Sequence, residues 1–199
     1  MHGADVAQMM YMFMKHGNLH EMAQLNYLDL VSCITAAACH DFAHDGWTND
    51  CHVNFVSDRA LRYHDLAVQE NYHAAESLKI LRKPENHFLA DVSKDERKLM
   101  RKRMIGLILA TDCADHEPQL KVLSSIVKSK GITKEKNNGQ LLIDSSEDPT
   151  EKFKSQQMIM NFCIHACDFS TPTRKFDTCK EWTYLLFEEF FLQGDAEKA

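Results

Sequence analysis

The segment with the most chemically useful side chains in this 199-residue chain is His40-Asp41-Phe42-Ala43-His44-Asp45-Gly46-Trp47-Thr48-Asn49. It follows an apolar run, 30–39, that contains no Pro or Gly. A neutral imidazole suits zinc or a similar ion, and a carboxylate can bridge two ions. Gly46 favours a sharp turn, which would keep His40 and Asp41 at a helix end beside a cavity. The alternative interpretation is a polar helix end that simply faces water.

Composition argues against several classes of protein. Lys and Arg total 23 and Asp and Glu total 29, which gives a formal net charge of −6, whereas nucleic-acid-binding proteins are usually basic. No apolar stretch reaches the roughly 20 residues of a membrane span. The seven Cys include no Cys-x-x-Cys pair and mostly lie in apolar helical patterns, so we expect reduced, buried thiols and a cytoplasmic location. Eleven His is a high number and makes a metal site worth seeking.

Hydrophobic periodicity predicts an all-α fold. The expected helices cover 4–15, 21–39, 57–63, 66–82, 97–110, 118–128, 151 to 165 or 168, and 173–193. Ser93 and Glu96 have the spacing of a capping box, and Gly17 and Gly194 are expected to end helices. Residues 129–150, rich in Lys, Asn, Gly and Ser, are predicted to be a mobile surface loop. The Met and Phe stripes of the helices, including those of the last helix, are interpreted as core.

Four side chains at or near the ends of apolar helices have the chemistry of a metal site, namely His2, His40, Asp41 and Asp168. Two imidazoles and two carboxylates could close one site, and Asp41 could bridge to a second ion completed largely by water. The candidates for supporting these ligands or holding metal-bound water are His44, Glu70 and Asp112. Spacing alone cannot bring together residues that are so distant in sequence.

Six motifs follow one another along the chain. They are His2-Gly3-Ala4-Asp5-Val6, the segment 40–49, Tyr63-His64-Asp65-Leu66-Ala67-Val68-Gln69-Glu70-Asn71-Tyr72-His73, Ala110-Thr111-Asp112, His165-Ala166-Cys167-Asp168-Phe169-Ser170-Thr171-Pro172 and Glu188-Glu189-Phe190-Phe191-Leu192-Gln193-Gly194-Asp195. In this order they resemble the catalytic domain of the class I cyclic-nucleotide phosphodiesterases. The last motif and Val92-Ser93-Lys94-Asp95 are most similar to the calmodulin-stimulated branch.

The resemblance implies an all-helical, HD-type domain with a deep pocket where several helices converge. It implies that His2, His40, Asp41 and Asp168 bind one ion, usually zinc, and that Asp41 also binds a second, usually magnesium or manganese. The implied reaction is hydrolysis of a small 3′,5′-cyclic nucleotide, cAMP or cGMP, to the 5′-monophosphate in signal transduction. Two divalent ions can clamp the phosphate and lower the pKa of a water between them. A homodimer is a further expectation.

The resemblance also implies roles for residues around the ligands. The residues expected to order water or support the ligands are His44, Glu70, His73, Thr111 and Asp112. Asn49 and Thr171 are expected to contact the substrate. Thr171 stands where the family usually has Asn or His and is shorter than either, so the sequence does not decide between cAMP and cGMP.

Two parts of the family pattern are not found in this sequence. The family's first motif reads His-Asn-x-x-His, and His2 matches its second histidine, so the first, which is the general acid, is absent. The glutamine and the aromatic residue that hold the base belong beyond Asp195. We therefore expect a single partial phosphodiesterase catalytic domain over 1–199, incomplete at both ends. The alternative is a catalytically weak or inactive homologue that binds metal or a partner.

Overall fold

The computed structural model describes residues 1–86, 88–89, 91–129, 141–143 and 146–198, and every regular element in these ranges is helical. The α-helices are α1 (His2–Tyr11), α2 (Leu19–Met22), α3 (Tyr27–Cys39), α4 (Asn49–Asn54), α5 (Asp58–Tyr63), α6 (Val68–Leu81), α7 (Lys94–Leu109), α8 (His116–Ser129), α9 (Pro149–Asp168) and α10 (Phe176–Lys198). A π-helical turn, Met12–His16, continues α1, and 3-10 turns cover Pro84–Asn86, Cys113–Asp115 and Thr171–Thr173. The all-α prediction is confirmed. No helix in the described ranges combines the length and apolarity needed to cross a membrane.

Side-chain caps set several helix boundaries. The Asn26 side chain accepts a hydrogen bond from the Asp29 backbone, and the Asp29 carboxylate accepts one from the Asn26 backbone, both at 3.0 Å. This capping box starts a new helix, so the single helix predicted over 21–39 is in fact α2 and α3. The box predicted at Ser93 and Glu96 is present. The start of α9 lies two residues earlier than predicted because Pro149 suits a first helical turn.

The prediction that residues 129–150 form a surface loop is wrong in part. Ile143, in the described part of this segment, is 1% exposed and belongs to a small apolar cluster. The Ile143 carbonyl accepts a hydrogen bond from Gln24 Nε2 at 3.0 Å, so this portion packs against the segment after α2. Residues 130–140 and 144–145 lie outside the described residues, and the predicted mobility there stays a prediction.

The hydrophobic core lies where α1, α3, α7 and α9 pack together with part of α6. Its buried members are Val6, Met10, Met14, Cys33, Ala36, Ala37, Ala74, Met100, Met104, Leu107, Ile108, Met160, Cys163, Ile164 and Cys167. Small Ala residues in this core let the helices approach each other closely. Flexible Met side chains fill the remaining space between the helices. All seven Cys are free; four are buried, as expected, whereas Cys39 and Cys179 are half-buried and Cys113 is exposed.

The last helix, α10, does not join this core. None of its residues is buried, and Phe191 and Leu192 are each 70% exposed. The prediction that its apolar residues are core is therefore wrong for the described part of the chain, because no described element packs over them. Gly194 does not end the helix either, since α10 continues to Lys198. An added Cβ at Gly194 would meet nothing within 4 Å.

A buried ion pair, together with further hydrogen bonds from its guanidinium, links three of the core helices. Arg103 Nε on α7 donates to Asp29 Oδ1 on α3 at 3.0 Å, and both side chains are 2% exposed. The same guanidinium donates to the Phe153 carbonyl and to Gln156 Oε1 on α9, each at 2.8 Å. Its carbon lies 3.6 Å from the centre of the Phe153 ring. Because Asp29 also caps α3, this network fixes the packing of α7 against both neighbours.

We predict that Arg103→Ala lowers the free energy of unfolding by about 3–5 kcal/mol, because it leaves the Asp29 carboxylate buried and unpaired. Urea denaturation followed by circular dichroism measures the change. Arg101→Ala is the matched control, since Arg101 is exposed on the same helix and its loss should cost less than about 0.5 kcal/mol. Equal effects of the two substitutions would contradict the assigned role of the network.

Candidate metal centre

His2 reaches His40 because α1 lies very close to α3. A Cβ added at Gly3 would stand 2.7 Å from the carbonyl oxygen of Ala38, which is inside normal non-bonded contact. Only glycine therefore fits at this point without a shift of one helix. The close approach places the first turn of α1, which carries His2, against the last turn of α3, which His40 caps.

The ring of His40 is fully buried and held by its own helix. Its Nδ1 donates to the Ala37 carbonyl at 2.8 Å, and its Nε2 faces the other ligands. A ring whose first nitrogen is fixed in this way presents the second as a metal ligand. Asp41 follows His40 directly, and Asp168 is the last residue of α9.

The four ligand atoms have the spacing of a small tetrahedral site. The Nε2 atoms of His2 and His40 are 3.2 Å apart. Asp168 Oδ1 lies 2.7 Å and 3.1 Å from these two nitrogens, and Asp41 Oδ2 lies 3.5 Å and 3.3 Å from them. Ligands about 2.0–2.1 Å from a tetrahedral zinc ion are about 3.4 Å from one another. The site therefore fits one such ion, and all four atoms lie within 4.8 Å of one another.

Two carboxylates concentrate negative charge in front of these nitrogens. Burial opposes protonation of His40, but hydrogen bonds with Asp168 and Asp41 outweigh it and raise the pKa of His40 to about 10. Burial would raise the pKa of Asp168, yet hydrogen bonds with His2 and His40 hold it well below its usual range. Burial would also raise the pKa of Asp41, but a hydrogen bond with His40 and the charge of that ring lower it. The protein thus provides a strongly cation-attracting position, and a divalent cation can take the place of protons there.

Further carboxylates stand close to Asp41. Burial raises the pKa of Glu70, a hydrogen bond from Asn49 opposes that change, and the charges of Asp112 and Asp41 add to it. Asn49 Nδ2 donates to Glu70 Oε2 at 2.9 Å, while Asn49 Oδ1 accepts from the Gln69 backbone at 2.8 Å. Both ends of this amide are engaged within the protein, so Asn49 orients Glu70; its predicted contact with substrate stays a prediction.

His44 and His73 stack on each other beside the ligand segment. Their ring centres are 5.4 Å apart and the ring planes differ by 24°. His73 Nδ1 donates to the Phe42 carbonyl at 2.8 Å, and His44 Nδ1 accepts from the Gly46 backbone at 3.0 Å. Gly46 has φ +85°, which confirms the predicted sharp turn. The two histidines brace the turn that follows Asp41, as side chains that support ligands do.

The remaining predicted residues flank the site and serve local structure. Thr111 is buried and its Oγ1 donates to the Ile108 carbonyl at 2.8 Å. Asp112 caps the 3-10 turn Cys113–Asp115 by accepting from the Ala114 backbone at 2.9 Å. Thr171 is half-buried and begins the turn that follows Asp168. Their proposed contacts with water or substrate stay predictions.

Two residues near the ligands were not found by sequence reasoning. The Trp182 ring on α10 packs edge-on against His2, with ring centres 5.7 Å apart. Arg174 Nη2 donates to Asp5 Oδ1 at 2.6 Å, which ties α1 to the segment after Asp168. No spacing rule connects these positions, because each contact joins elements that are far apart in sequence.

Comparison with known proteins agrees with the geometry. The profile of the 3′5′-cyclic nucleotide phosphodiesterase family matches residues 1–199. The chain belongs to this family. The prediction of the family is thus confirmed, and the family's use of divalent metal ions accords with the His/Asp site.

Two relatives within this phosphodiesterase family are each about one-third identical to this chain. The chain is 33% identical over 198 residues to the dual specificity calcium/calmodulin-dependent 3′,5′-cyclic nucleotide phosphodiesterase 1 of Drosophila melanogaster, and covers 21% of that protein. It is 32% identical over 197 residues to the probable 3′,5′-cyclic-AMP phosphodiesterase pde-4 of Caenorhabditis elegans, and covers 27% of it. These alignments include 100% and 99% of this chain.

A solved phosphodiesterase structure has the same fold. The phosphodiesterase domain of the RhoPDE fusion protein from the choanoflagellate Salpingoeca rosetta superposes with a TM-score of 0.82 at 26% identity. The match covers 99% of this chain and 57% of that domain's chain. The expected HD-type helical fold is therefore confirmed, and the chain spans a little over half of that solved structure.

We predict that Gly3→Ala weakens zinc binding about tenfold or more, because a methyl group would push α1, and His2 with it, away from α3. The same crowding should destabilise the fold by about 1–3 kcal/mol. Zinc affinity is measured by competition with a chromophoric chelator.

Gly194→Ala is the control for the same change in a helix with free space. It should leave zinc affinity unchanged and stabilise α10 by about 0.5–1 kcal/mol. Unchanged zinc affinity in Gly3→Ala would show that the close approach is not needed for the site.

We predict that His73 makes the metal-free protein sensitive to acid. Burial lowers the pKa of His73 from 6.5 to about 4, so the native state keeps this ring neutral where the unfolded chain protonates it. Unfolding therefore takes up a proton, and stability present above pH 6.5 is lost as the pH falls toward 4. The difference in unfolding free energy between wild type and His73→Gln should shrink across this range in urea denaturation with a chelator present. Parallel pH curves for the two proteins would refute the prediction.

Proposed function

We propose that this chain carries the metal centre of a phosphodiesterase that hydrolyses 3′,5′-cyclic nucleotides, cAMP or cGMP, to 5′-nucleoside monophosphates in signal transduction. The observation that supports this most directly is the tetrahedral spacing of His2, His40, Asp41 and Asp168 in a chain that the family profile matches from end to end. The relatives named above are themselves cyclic-nucleotide phosphodiesterases.

Two kinds of divalent ion suit the residues present. The nitrogen and oxygen atoms of His2, His40, Asp41 and Asp168 would hold zinc. The carboxylates of Asp41, Glu70 and Asp112 favour a magnesium or manganese ion held partly through water, because these ions prefer oxygen. When bound, such ions polarise phosphoryl oxygens and make water more acidic.

The protein's own groups orient this site before any ligand arrives. The Ala37 carbonyl fixes the His40 ring, Asn49 fixes Glu70, and Trp182 packs against His2. Hydrolysis also needs a proton donor for the leaving 3′ oxygen. The resemblance assigns this step to a histidine that no residue of 1–199 matches, so none of the residues named here is proposed as the donor.

Two subsidiary proposals concern the setting of the protein. Seven free thiols support a cytoplasmic location, because oxidising compartments favour disulfides. A homodimer is also proposed; the exposed apolar residues of α10 provide a surface suited to association.

The test is metal content and metal-dependent hydrolysis of cAMP and cGMP by the purified 199-residue polypeptide. We predict about one tightly bound zinc per chain, and hydrolysis that a chelator removes and zinc with magnesium restores. Asp168→Ala should lose both, because it removes a proposed metal ligand that lies beside both His2 and His40. Asp177→Ala, an exposed aspartate of α10, is the control and should change neither.

The outcomes separate the two functional hypotheses. Zinc binding without any detectable hydrolysis would favour the alternative of a metal-binding, catalytically inactive homologue. Full zinc occupancy in Asp168→Ala would show that the metal centre is wrongly assigned.

A further inference from the structure

A second pair of histidines lies one helical turn from the metal ligands. His165 precedes Asp168 by three residues on α9 and is 3% exposed. Its Nε2 lies 3.0 Å from Nδ1 of His116, the first residue of α8. The two ring centres are 5.2 Å apart. The Phe169 ring packs against both, at 5.0 Å from His165 and 5.8 Å from His116.

The bond from His116 controls how the His165 ring is held. The other nitrogen of that ring, Nδ1, is buried and has no well-formed hydrogen bond within the described part of the chain, although the Ala110 carbonyl lies close enough to influence the ring's pKa. A buried imidazole is normally paired. The bond to His116 is thus the well-formed hydrogen bond of this ring within the described residues, and it sets the orientation of the ring among the side chains that pack around it.

The pair joins the two chain segments that border the metal centre. The segment before His116 contains Thr111 and Asp112 and is itself braced by Gln119, whose Nε2 donates to the Ala110 carbonyl at 2.9 Å. The last turn of α9 contains His165 and Asp168 and closes with a bond from the Phe169 backbone to the His165 carbonyl at 3.2 Å. The histidine bond therefore fastens the end of α9 to the start of α8.

We propose that His116 is a positioning residue for the metal centre: through His165 it fixes the last turn of α9 and thus the carboxylate of Asp168. This inference rests on the proposed function. Asp168 Oδ1 must lie close to the Nε2 atoms of both His2 and His40, at 2.7 Å and 3.1 Å. A small rotation of the last helical turn changes both distances at once. The last turn of a helix has carbonyl groups without partners in the helix, so it needs other contacts to keep its position. For α9 one such contact is the bond from the His116 side chain on α8 to His165.

Two variants separate the hydrogen bond from the ring packing. His116→Phe keeps an aromatic ring against His165 and Phe169 but removes the nitrogen that bonds His165. His116→Asn removes the ring but keeps a short amide that can pair with His165 Nε2. His116 is exposed, so neither change disturbs the core. His16→Ala is the control, since His16 is exposed and lies on the turn that continues α1.

The experiment measures zinc affinity by chelator competition for wild type and the three variants, with urea denaturation of each in parallel. We expect His116→Phe to weaken zinc binding about 10–100-fold, as loss of a supporting partner does. His116→Asn should recover most of the affinity, and His16→Ala should equal wild type.

Wild-type affinity in His116→Phe would overturn the inference while leaving the metal centre intact. The reverse order, with His116→Asn weak and His116→Phe normal, would also overturn it, because packing and not the bond would then matter. Failure of the wild type to bind zinc at all would instead refute the proposed function on which the inference rests.

Discussion

The contact between α1 and α3 at Gly3 is the constraint on which the candidate metal centre depends. A methyl group there would meet the Ala38 carbonyl at 2.7 Å, so the two helices can reach this distance only with a glycine. The approach places His2 Nε2 3.2 Å from His40 Nε2. Two imidazole nitrogens that face each other so closely need a cation between them or carboxylates around them, and Asp41 and Asp168 supply the carboxylates.

The core that supports this site contains a buried ion pair. The buried pair of Arg103 and Asp29 links α3 to α7, and the same guanidinium bonds two groups on α9. These helices also deliver His40 and Asp168 to the site. A buried ion pair offers little net stability in itself, but removing one partner is costly, and the geometry it imposes keeps the ligand-bearing helix ends in register.

The surface around α10 differs from that of an isolated globular domain. Its Phe and Leu residues are exposed on several sides, and contiguous exposed apolar surface usually marks a place of contact. The chain covers 57% of the solved phosphodiesterase domain and 21% of its fly relative. Within the described residues, α10 touches the site chiefly through Trp182 and through Gln193, which accepts from the Thr48 backbone at 3.0 Å.

The sequence by itself determined the helical fold class and the family, and it indicated which residues have the chemistry of metal ligands. Helical periodicity and the capping box at Ser93 depend on neighbours within four residues, so they can be read locally. The motif around His40 and Asp41 can likewise be recognised locally, because its His and Asp residues are close together in sequence. Local signals also failed where a nearby cap mattered, as at Asn26, which divides one predicted helix into two.

Only the tertiary structure decided how these residues are used. The amide of Asn49 is engaged by Glu70, and His165 is held by His116, although each pair is separated by many residues. The burial of Ile143 and the exposure of α10 depend on which elements pack over them, and amphipathic patterns do not contain that information. The distance between His2 and Asp168 follows from helix packing across almost the whole chain, which no sequence spacing encodes.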